Sequence, residues 1–282
     1  MEAVEAGASQ AVFTEHMLDV LQRAAEKYRV TANAHLKIDT GMSRIGAKGM
    51  DSLKEIVHHW KECCPNVKME GIFTHFCAAD EDEEFTDLQN SRFEEAVAYV
   101  KAQGFDPIAH AAATSAMMKE KYQHDMVRAG VGLYGTLLPE LEGKLQYAQQ
   151  LTCYPVRIDE IAAGETVGYG RTYTAGRPMR VMTIPVGYGD GYPRILSNRA
   201  DVLVCGKRAK IIGRVCMDMI MADITDIPEA SLDSEVVLMG EQGCERITPD
   251  ELAEKAQTIP YEIMLGFSPR VRYVHENAPT GE

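Results

Sequence analysis

The sequence predicts a mixed α/β and all-β protein: a partial (β/α)8 TIM-like barrel, about five of eight units, followed by a C-terminal antiparallel β domain. Two observations support this. Up to about residue 135 short apolar runs alternate with longer amphipathic stretches, as successive β/α units with a parallel sheet require. After about residue 140 apolar and polar residues alternate between Gly-rich turns, as in an antiparallel domain. A chain of 282 residues, 45% of them apolar, is long enough for both, with expected domains at 1–137 and 138–282.

In the first domain, Ala11 to Phe13 is a short strand-like run. "TEHMLDVLQRAAEKY" follows, where Thr14 can cap a helix and Met17, Leu18, Leu21, Ala24 and Ala25 form a stripe at helical spacing. "NAHLKI" reads as the second strand, with a helix near "MDSLKEIVHHW" whose His58 and His59 are expected to face solvent. "KMEGIFTHF" is the third strand, backed by the helical stretch "LQNSRFEEAVAYVKAQG". The acidic run "DEDEEFTD" between them lacks the glycine and spaced ligands of a calcium loop and reads as a solvated loop. "FDPIAHAA", with a helix from Thr114, and "DMVRAGVGLYG" complete the five units. In the second domain "TPDELAEKA" is a helix capped by Thr248, with Pro249 just inside its start and Asp250 and Glu251 in its first turn.

A net charge of −13 without a basic stripe argues against nucleic acid and leaves a small molecule as the ligand. Seven cysteines, an odd number with no C-x-x-C spacing, suggest neither a disulfide framework nor a zinc knuckle, and point to the reducing cytoplasm. No metal is expected. No run of about 18 apolar residues is present, so no membrane span is predicted.

Barrels of this kind hold their chemistry where the strands end. Here those exits are polar: Lys37, Asp39 and Arg44; Thr74 and His75; Thr114 and Ser115; Arg128 and Gly130. Hydroxyls at Thr114 and Ser115 beside bare backbone N–H groups at Gly130 and Val131 are what a phosphate group asks for. "GVGLYG" also matches G-x-G-x-x-G, but no second strand with an acidic residue about 20 positions on supports a dinucleotide fold.

Taken together and in order, "LKIDTGMSRIG", "GIFTHFCAADE", "ATSA", "MVRAGVGLYG", "VGYGRTYTA", "VGYGDGYPR", "GRVCMDM" and "YEIMLGFSPRVRY" resemble the alanine racemase family over nearly the whole chain. That resemblance implies an isomerase that interconverts L- and D-alanine with pyridoxal 5'-phosphate and supplies D-alanine for peptidoglycan. It implies a head-to-tail homodimer with two sites between subunits. It puts Ser115, Gly130, Val131 and Tyr261 around the cofactor phosphate and Arg128 beside the pyridine nitrogen. A guanidinium donates to that nitrogen without protonating it, which makes a weaker electron sink than a pyridinium and suppresses transamination.

Racemisation removes a proton from one face of the α-carbon and returns one to the other, so a base on each face is economical. By the resemblance Tyr169, from the neighbouring subunit, is one base. A phenol is a poor base at neutral pH unless positive charge stabilises the phenolate. Arg44 is assigned that task and the substrate carboxylate, with His75 in the same polar set. Lys37 matches a lysine that is often carbamylated in the family, an anion able to hold Arg44. Met217, through its backbone, Asp218 and Tyr188 complete the substrate pocket and its entrance.

The second base is the family's Schiff-base lysine, expected on a first barrel strand that no segment here matches. Three absent units and the absent lysine lead to the expectation that the chain is a later part of the enzyme and is inactive as given. Serine or broad-specificity racemases share most of the motifs, and a catalytically silent pyridoxal phosphate pocket is the other alternative. Taken singly, the residues allow plainer roles. Tyr169 reads as a half-buried strand tyrosine, Arg44 and Arg128 as barrel-mouth ion pairs, Lys37 as a side chain snorkelling to the strand end, and His75 as a satisfied structural histidine.

Overall fold

The computed structural model describes residues 2–136, 141 and 144–275. The chain divides into two compact units, Met1–Gly130 and Val131–Glu282. The domain boundary expected at 137/138 falls outside the described residues, as does Met1.

In the first unit a short helix α1 (Glu2–Glu5) precedes the strands β1 (Gln10–Val12), β2 (Ala32–Asp39), β3 (Ala47–Lys48), β4 (Val67–Phe73) and β5 (Ile108–His110). All pairings are parallel, in the order β1-β2-β4-β5, with the two-residue β3 beside β2. The connecting helices are α2 (Glu15–Tyr28), α3 (Gly49–Cys63) and α4 (Glu83–Ala102). Thr14 caps α2, its hydroxyl accepting from the Met17 N–H, and Leu18, Leu21, Ala24 and Ala25 are buried. Leu36, Ile72 and Ala109 from the strands meet this face together with Leu53, Ile56, Val57 and Trp60 of α3 and Phe93, Ala96 and Val100 of α4. Trp60, 1% exposed, donates its indole N–H to the Val67 carbonyl at 2.7 Å.

Four expectations need correction. The acidic run is not wholly loop: Asp82 caps α4, accepting from the Phe85 N–H, and Glu83 and Glu84 enter its first turn, where the helix dipole favours them. No α-helix starts at Thr114, because the chain makes only 3-10 turns at Thr114–Ala116 and Glu120–Tyr122. The fifth unit forms no strand; residues 126–130 instead run beside the β5 exit, where the Arg128 N–H donates to the Ala112 carbonyl at 3.0 Å. His59 does not face solvent freely: its Nε2 lies 2.8 Å from an Asp19 carboxylate oxygen, while His58 is exposed.

The second unit is antiparallel throughout. Strands β6 (Leu151–Cys153), β7 (Arg157–Ile161), β8 (Thr166–Val167), β9 (Tyr173–Thr174), β10 (Met179–Ile184), β11 (Asp201–Val204), β12 (Lys207–Lys210), β13 (Ile220–Asp223), β14 (Val236–Gln242) and β15 (Glu245–Ile247) form three sheets. Their orders are β13-β10-β7, β12-β11-β14-β15 with β6 on β14, and β8-β9. Val202, Leu203 and Val204 pack with Val236, Val237 and Leu238 in the core. The helix α5 (Pro249–Ala256) is capped by Thr248, which accepts from the Glu251 N–H, and α6 (Pro260–Leu265) follows.

The loop that leaves β2 is folded by its own sequence. An Asp39 carboxylate oxygen accepts from the N–H groups of Gly41 (3.1 Å) and Ser43 (2.9 Å), an Asx-type turn. Gly46 closes it at φ +132, and a Cβ there would lie 2.5 Å from the Asp39 amide nitrogen. Gly46→Ala should therefore cost about 3 kcal/mol of stability, whereas Gly104→Ala, strained at φ +93 but facing open space, should cost about 1. Denaturant unfolding of the two variants checks the difference; equal effects would mean that the backbone contact at Gly46 relaxes freely.

Candidate active site

The carboxyl ends of β2, β4 and β5 collect the polar residues of the first unit around one guanidinium. Arg128 Nη1 donates to His110 Nδ1 (2.7 Å) and the His110 carbonyl (3.1 Å). Its Nη2 donates to the carbonyls of Thr74 (2.9 Å) and Ala111 (2.9 Å) and to His75 Nδ1 (3.2 Å). The Thr74 and Ala111 carbonyls lie past the strand ends, where ladder partners run out, so the cation satisfies them as they satisfy it, while the His110 carbonyl also accepts from the Thr74 N–H at 3.3 Å. Among the described residues the Arg128 Nε–H has no partner, so one donor of a fixed, planar fork remains free.

Both histidines that face Arg128 are held neutral. Burial first, then the Arg128 charge, pushes His75 down to about 4 and His110 down to about 3. Their Nδ1 atoms face guanidinium N–H groups and therefore accept, which puts the ring proton of each on Nε2. From His110 the direction continues: Nε2–H donates to His35 Nδ1 (2.8 Å), and His35 Nε2–H donates to a Glu70 carboxylate oxygen (3.1 Å) that also accepts from Ser9. Gly71 makes room for this row, since a Cβ there would lie 2.2 Å from His35 Nδ1.

Phe73 contacts both cations. Its ring stacks on His110 with centroids 4.9 Å apart, and both Lys37 Nζ (5.3 Å) and Arg128 Cζ (5.5 Å) sit over it. Lys37 does not snorkel: it is 3% exposed and donates to the neighbouring Ile38 carbonyl at 2.8 Å. Burial first lowers its pKa to about 8, Arg128 and Arg44 adding to the effect while Asp39 opposes it. The same Ile38 carbonyl accepts from the Thr74 hydroxyl (3.0 Å), so in the Thr40–Thr74 pair (2.7 Å) Thr40 is the donor. Gln89 of α4 donates to the Thr40 hydroxyl and the His75 carbonyl.

Other residues of the first unit stand apart from this cluster. Arg44 is exposed on the loop after β2 and, among the described residues, makes no hydrogen bond or ion pair, although its charge reaches Lys37 and His75. The Gly130 N–H is not bare, because it donates to the Thr114 hydroxyl at 3.0 Å. Ser115, half-buried in the Thr114–Ala116 turn, keeps its hydroxyl unpartnered among the described residues. His35, Phe73, Gln89 and His110 were not anticipated. A polar residue in β2 facing another in β5 was the only available signal, and it needs the strand order to be meaningful.

In the second unit the loops "VGYGD" and "CMDM" are fastened backbone to backbone. The Tyr188 N–H donates to the Cys216 carbonyl (3.0 Å) and the Gly189 N–H to the Met217 carbonyl (2.8 Å). A Cβ at Gly187 would meet the Cys216 carbonyl oxygen at 2.3 Å, so only glycine lets the loops approach. Tyr188, Met217 and Asp218 are thereby brought together, and Asp218 pairs with Arg270 at 2.7 Å. The Met217 N–H has no partner among the described residues. Tyr169 is no half-buried strand residue: it begins a 3-10 turn between β8 and β9 and is 70% exposed. Gly168 and Gly170, both at φ +71, bracket it and lie against Arg214 of the "GRVCMDM" segment. Val131 is buried, and Tyr261 on α6 is 37% exposed.

Among the described residues no helix is long and apolar enough to cross a membrane. The family described as alanine racemase, N-terminal domain, matches residues 1–138, and that described as alanine racemase, C-terminal domain, matches residues 148–275. An alanine racemase of Halothermothrix orenii is 42% identical over 264 residues, 91% of this chain and 69% of that protein. One of Syntrophobacter fumaroxidans is 41% identical, over 86% of this chain and 66% of that protein, so the chain spans roughly two thirds of these relatives. Among solved structures, the alanine racemase of Streptomyces coelicolor superposes with a TM-score of 0.89 at 30% identity, covering 96% of this chain and 73% of that one.

The neutral histidines set a pH dependence. Below their ordinary value of 6.5 the unfolded chain takes up protons that folded His75 and His110 refuse, so stability falls as pH drops towards about 4. Each contributes a slope of about 1.4 kcal/mol per pH unit. Denaturant unfolding from pH 7 to 4 should show the fall, and His110→Gln should remove one histidine's share of it; an unchanged slope in that variant would refute the assignment.

Proposed function

The chain belongs to the alanine racemase family, the isomerases that interconvert L- and D-alanine, and from that membership we propose how its residues divide the work with pyridoxal phosphate and a second subunit. The observation that carries the proposal is the ligation of Arg128, in which backbone carbonyls and two histidines occupy the Nη hydrogens and leave Nε–H to a ligand at the strand ends. An aromatic nitrogen that accepts without being protonated suits that donor, because a guanidinium gives up its proton far less readily than a pyridinium. The Ser115 hydroxyl and the Val131 N–H, likewise unpartnered among the described residues, suit phosphate oxygens. With its N–H committed to Thr114, Gly130 contributes chiefly its missing side chain. These residues, with Tyr261, would hold the cofactor. Bound, pyridoxal phosphate supplies an electron sink that acidifies the α-proton of an amino acid.

The rest is the work of side chains. Arg44, exposed and unpaired among the described residues, would bind the substrate carboxylate, and its charge would stabilise a phenolate. Tyr169 moves the proton on one face of the α-carbon. Its 70% exposure supports delivery of this phenol to a second copy of the chain, in a head-to-tail dimer. His75, neutral and with its proton on Nε2, adds a donor without adding charge to a site that already holds Arg128, Arg44 and Lys37. The Met217 N–H offers the carboxylate a second donor, and Tyr188 narrows the entrance beside it. The D-alanine formed would serve peptidoglycan synthesis in a bacterial host.

Pyridoxal phosphate should bind the protein saturably, as followed by its absorbance, but with no segment matching the strand that bears the Schiff-base lysine, L-alanine should yield no D-alanine with this chain by itself. Ser115→Ala should weaken the binding about tenfold and Tyr169→Phe should leave it unchanged. Absence of saturable binding, or binding indifferent to Ser115→Ala, would overturn the proposal. Turnover of L-alanine would refute the need for that lysine, and faster turnover of serine would assign the chain to the serine or broad-specificity racemases.

Lys37 is the proposed site of carbamylation, supported by an amine whose pKa is lowered to about 8 and which is therefore substantially unprotonated in mildly alkaline solution. In 13C-labelled bicarbonate a carbamate resonance should appear, and Lys37→Arg should abolish it. A resonance that survives the substitution belongs to another amine.

A further inference from the structure

Away from the strand ends, on the packed helices α2 and α3, three side chains from two separate stretches of sequence converge. Asp19 of α2 and His59 of α3 face each other with Oδ1 and Nε2 2.8 Å apart, and Cys64 stands at the end of α3. One donor atom from each lies within 4.8 Å of the other two. We propose that Asp19, His59 and Cys64 bind a zinc-class divalent cation, with water in the fourth position, clipping α2 to α3.

The donor set is oxygen, nitrogen and sulfur, the mixture that suits a borderline-soft ion such as Zn²⁺ and not calcium or magnesium. Bonds of about 2.0–2.3 Å to a tetrahedral ion place such donors about 3.3–3.7 Å apart, so the three need to shift by about an ångström or less. The frame around them is fixed. The Cys64 N–H is tied to the Trp60 carbonyl, and the Val67 N–H to the Cys64 carbonyl. The Asn66 N–H donates to Gln22 of α2 at 2.9 Å, joining the turn after α3 to the helix that bears Asp19. The constellation is open on one side, since the Asp19 side chain is 42% exposed and that of His59 20%, while Cys64 is buried. An ion can enter from solvent and keep a water. Sequence spacing concealed the set: Asp19 lies 40 residues before His59, and no C-x-x-C or H-x-x-H pattern marks it.

The test is titration of the reduced, metal-free protein with Co²⁺. One equivalent should saturate a near-ultraviolet thiolate-to-cobalt band with visible bands of tetrahedral type, and Zn²⁺ should displace it. Loss of a mere second-shell partner typically weakens a site about 10–100-fold, so His59→Gln and Asp19→Asn should each weaken Co²⁺ binding at least tenfold. Cys64→Ser should abolish the charge-transfer band and Cys63→Ser should leave it. Because Cys64 is buried, the decisive variants are at Asp19 and His59, whose polar tips reach solvent, with circular dichroism checking that each variant is folded. No saturable band, or a band that persists undiminished in His59→Gln, reduces the cluster to an interhelical hydrogen bond beside a thiol and overturns the proposal.

Discussion

The first unit depends on how a single cation is held. Parallel strands end with carbonyls that have no further ladder partner, and past β4 and β5 those of Thr74 and Ala111 are collected by Arg128 and not left to water. A buried guanidinium is costly unless its donors are met, and a buried carbonyl is costly unless its acceptor is met; here each resolves the other. Burial first, and then this charge, fixes the neighbours. His75 and His110 stay neutral, their acceptor nitrogens turn inward, and the outer nitrogen of His110 passes the polarity to His35 and Glu70. Phe73 gives the two cations a common apolar floor with a negative face.

At the two fastened loops of the second unit the geometry is set chiefly by backbone contact. The hydrogen bonds from Tyr188 and Gly189 to Cys216 and Met217 hold two loops at a distance that only glycine permits, so the exposed side chains ride on a rigid base. Arg270 adds two ion pairs, to Asp218 at 2.7 Å and to Asp190 at 3.3 Å; the first joins half-exposed groups and contributes little stability, about 0–1 kcal/mol. That first pair commits Asp218, whereas the Met217 amide has no partner among the described residues.

Much of this was legible in the sequence because it is local. Thr14 and Thr248 cap helices by a rule that spans three residues, and the stripe Leu18, Leu21, Ala24, Ala25 follows from helical period alone. The motif around Lys37, Asp39 and Arg44 was legible through family resemblance. What escaped was non-local. That Gly130 is already bonded to Thr114, that His59 meets Asp19, and that His35, His110 and Glu70 form a row all depend on which strands and helices become neighbours. The missing fifth strand is of the same kind: "DMVRAG" has strand-like composition, but its bonds go to the β5 exit singly and never build a ladder.

Trp60 is the chain's single tryptophan, sealed in the core of the first unit against the Val67 carbonyl. Its emission therefore reports the melting of the parallel sheet and its helices and is blind to the antiparallel unit, which holds no indole. The molecule thus carries an optical label on one half only, and comparison of fluorescence with far-ultraviolet dichroism separates the unfolding of the two units without any engineered probe.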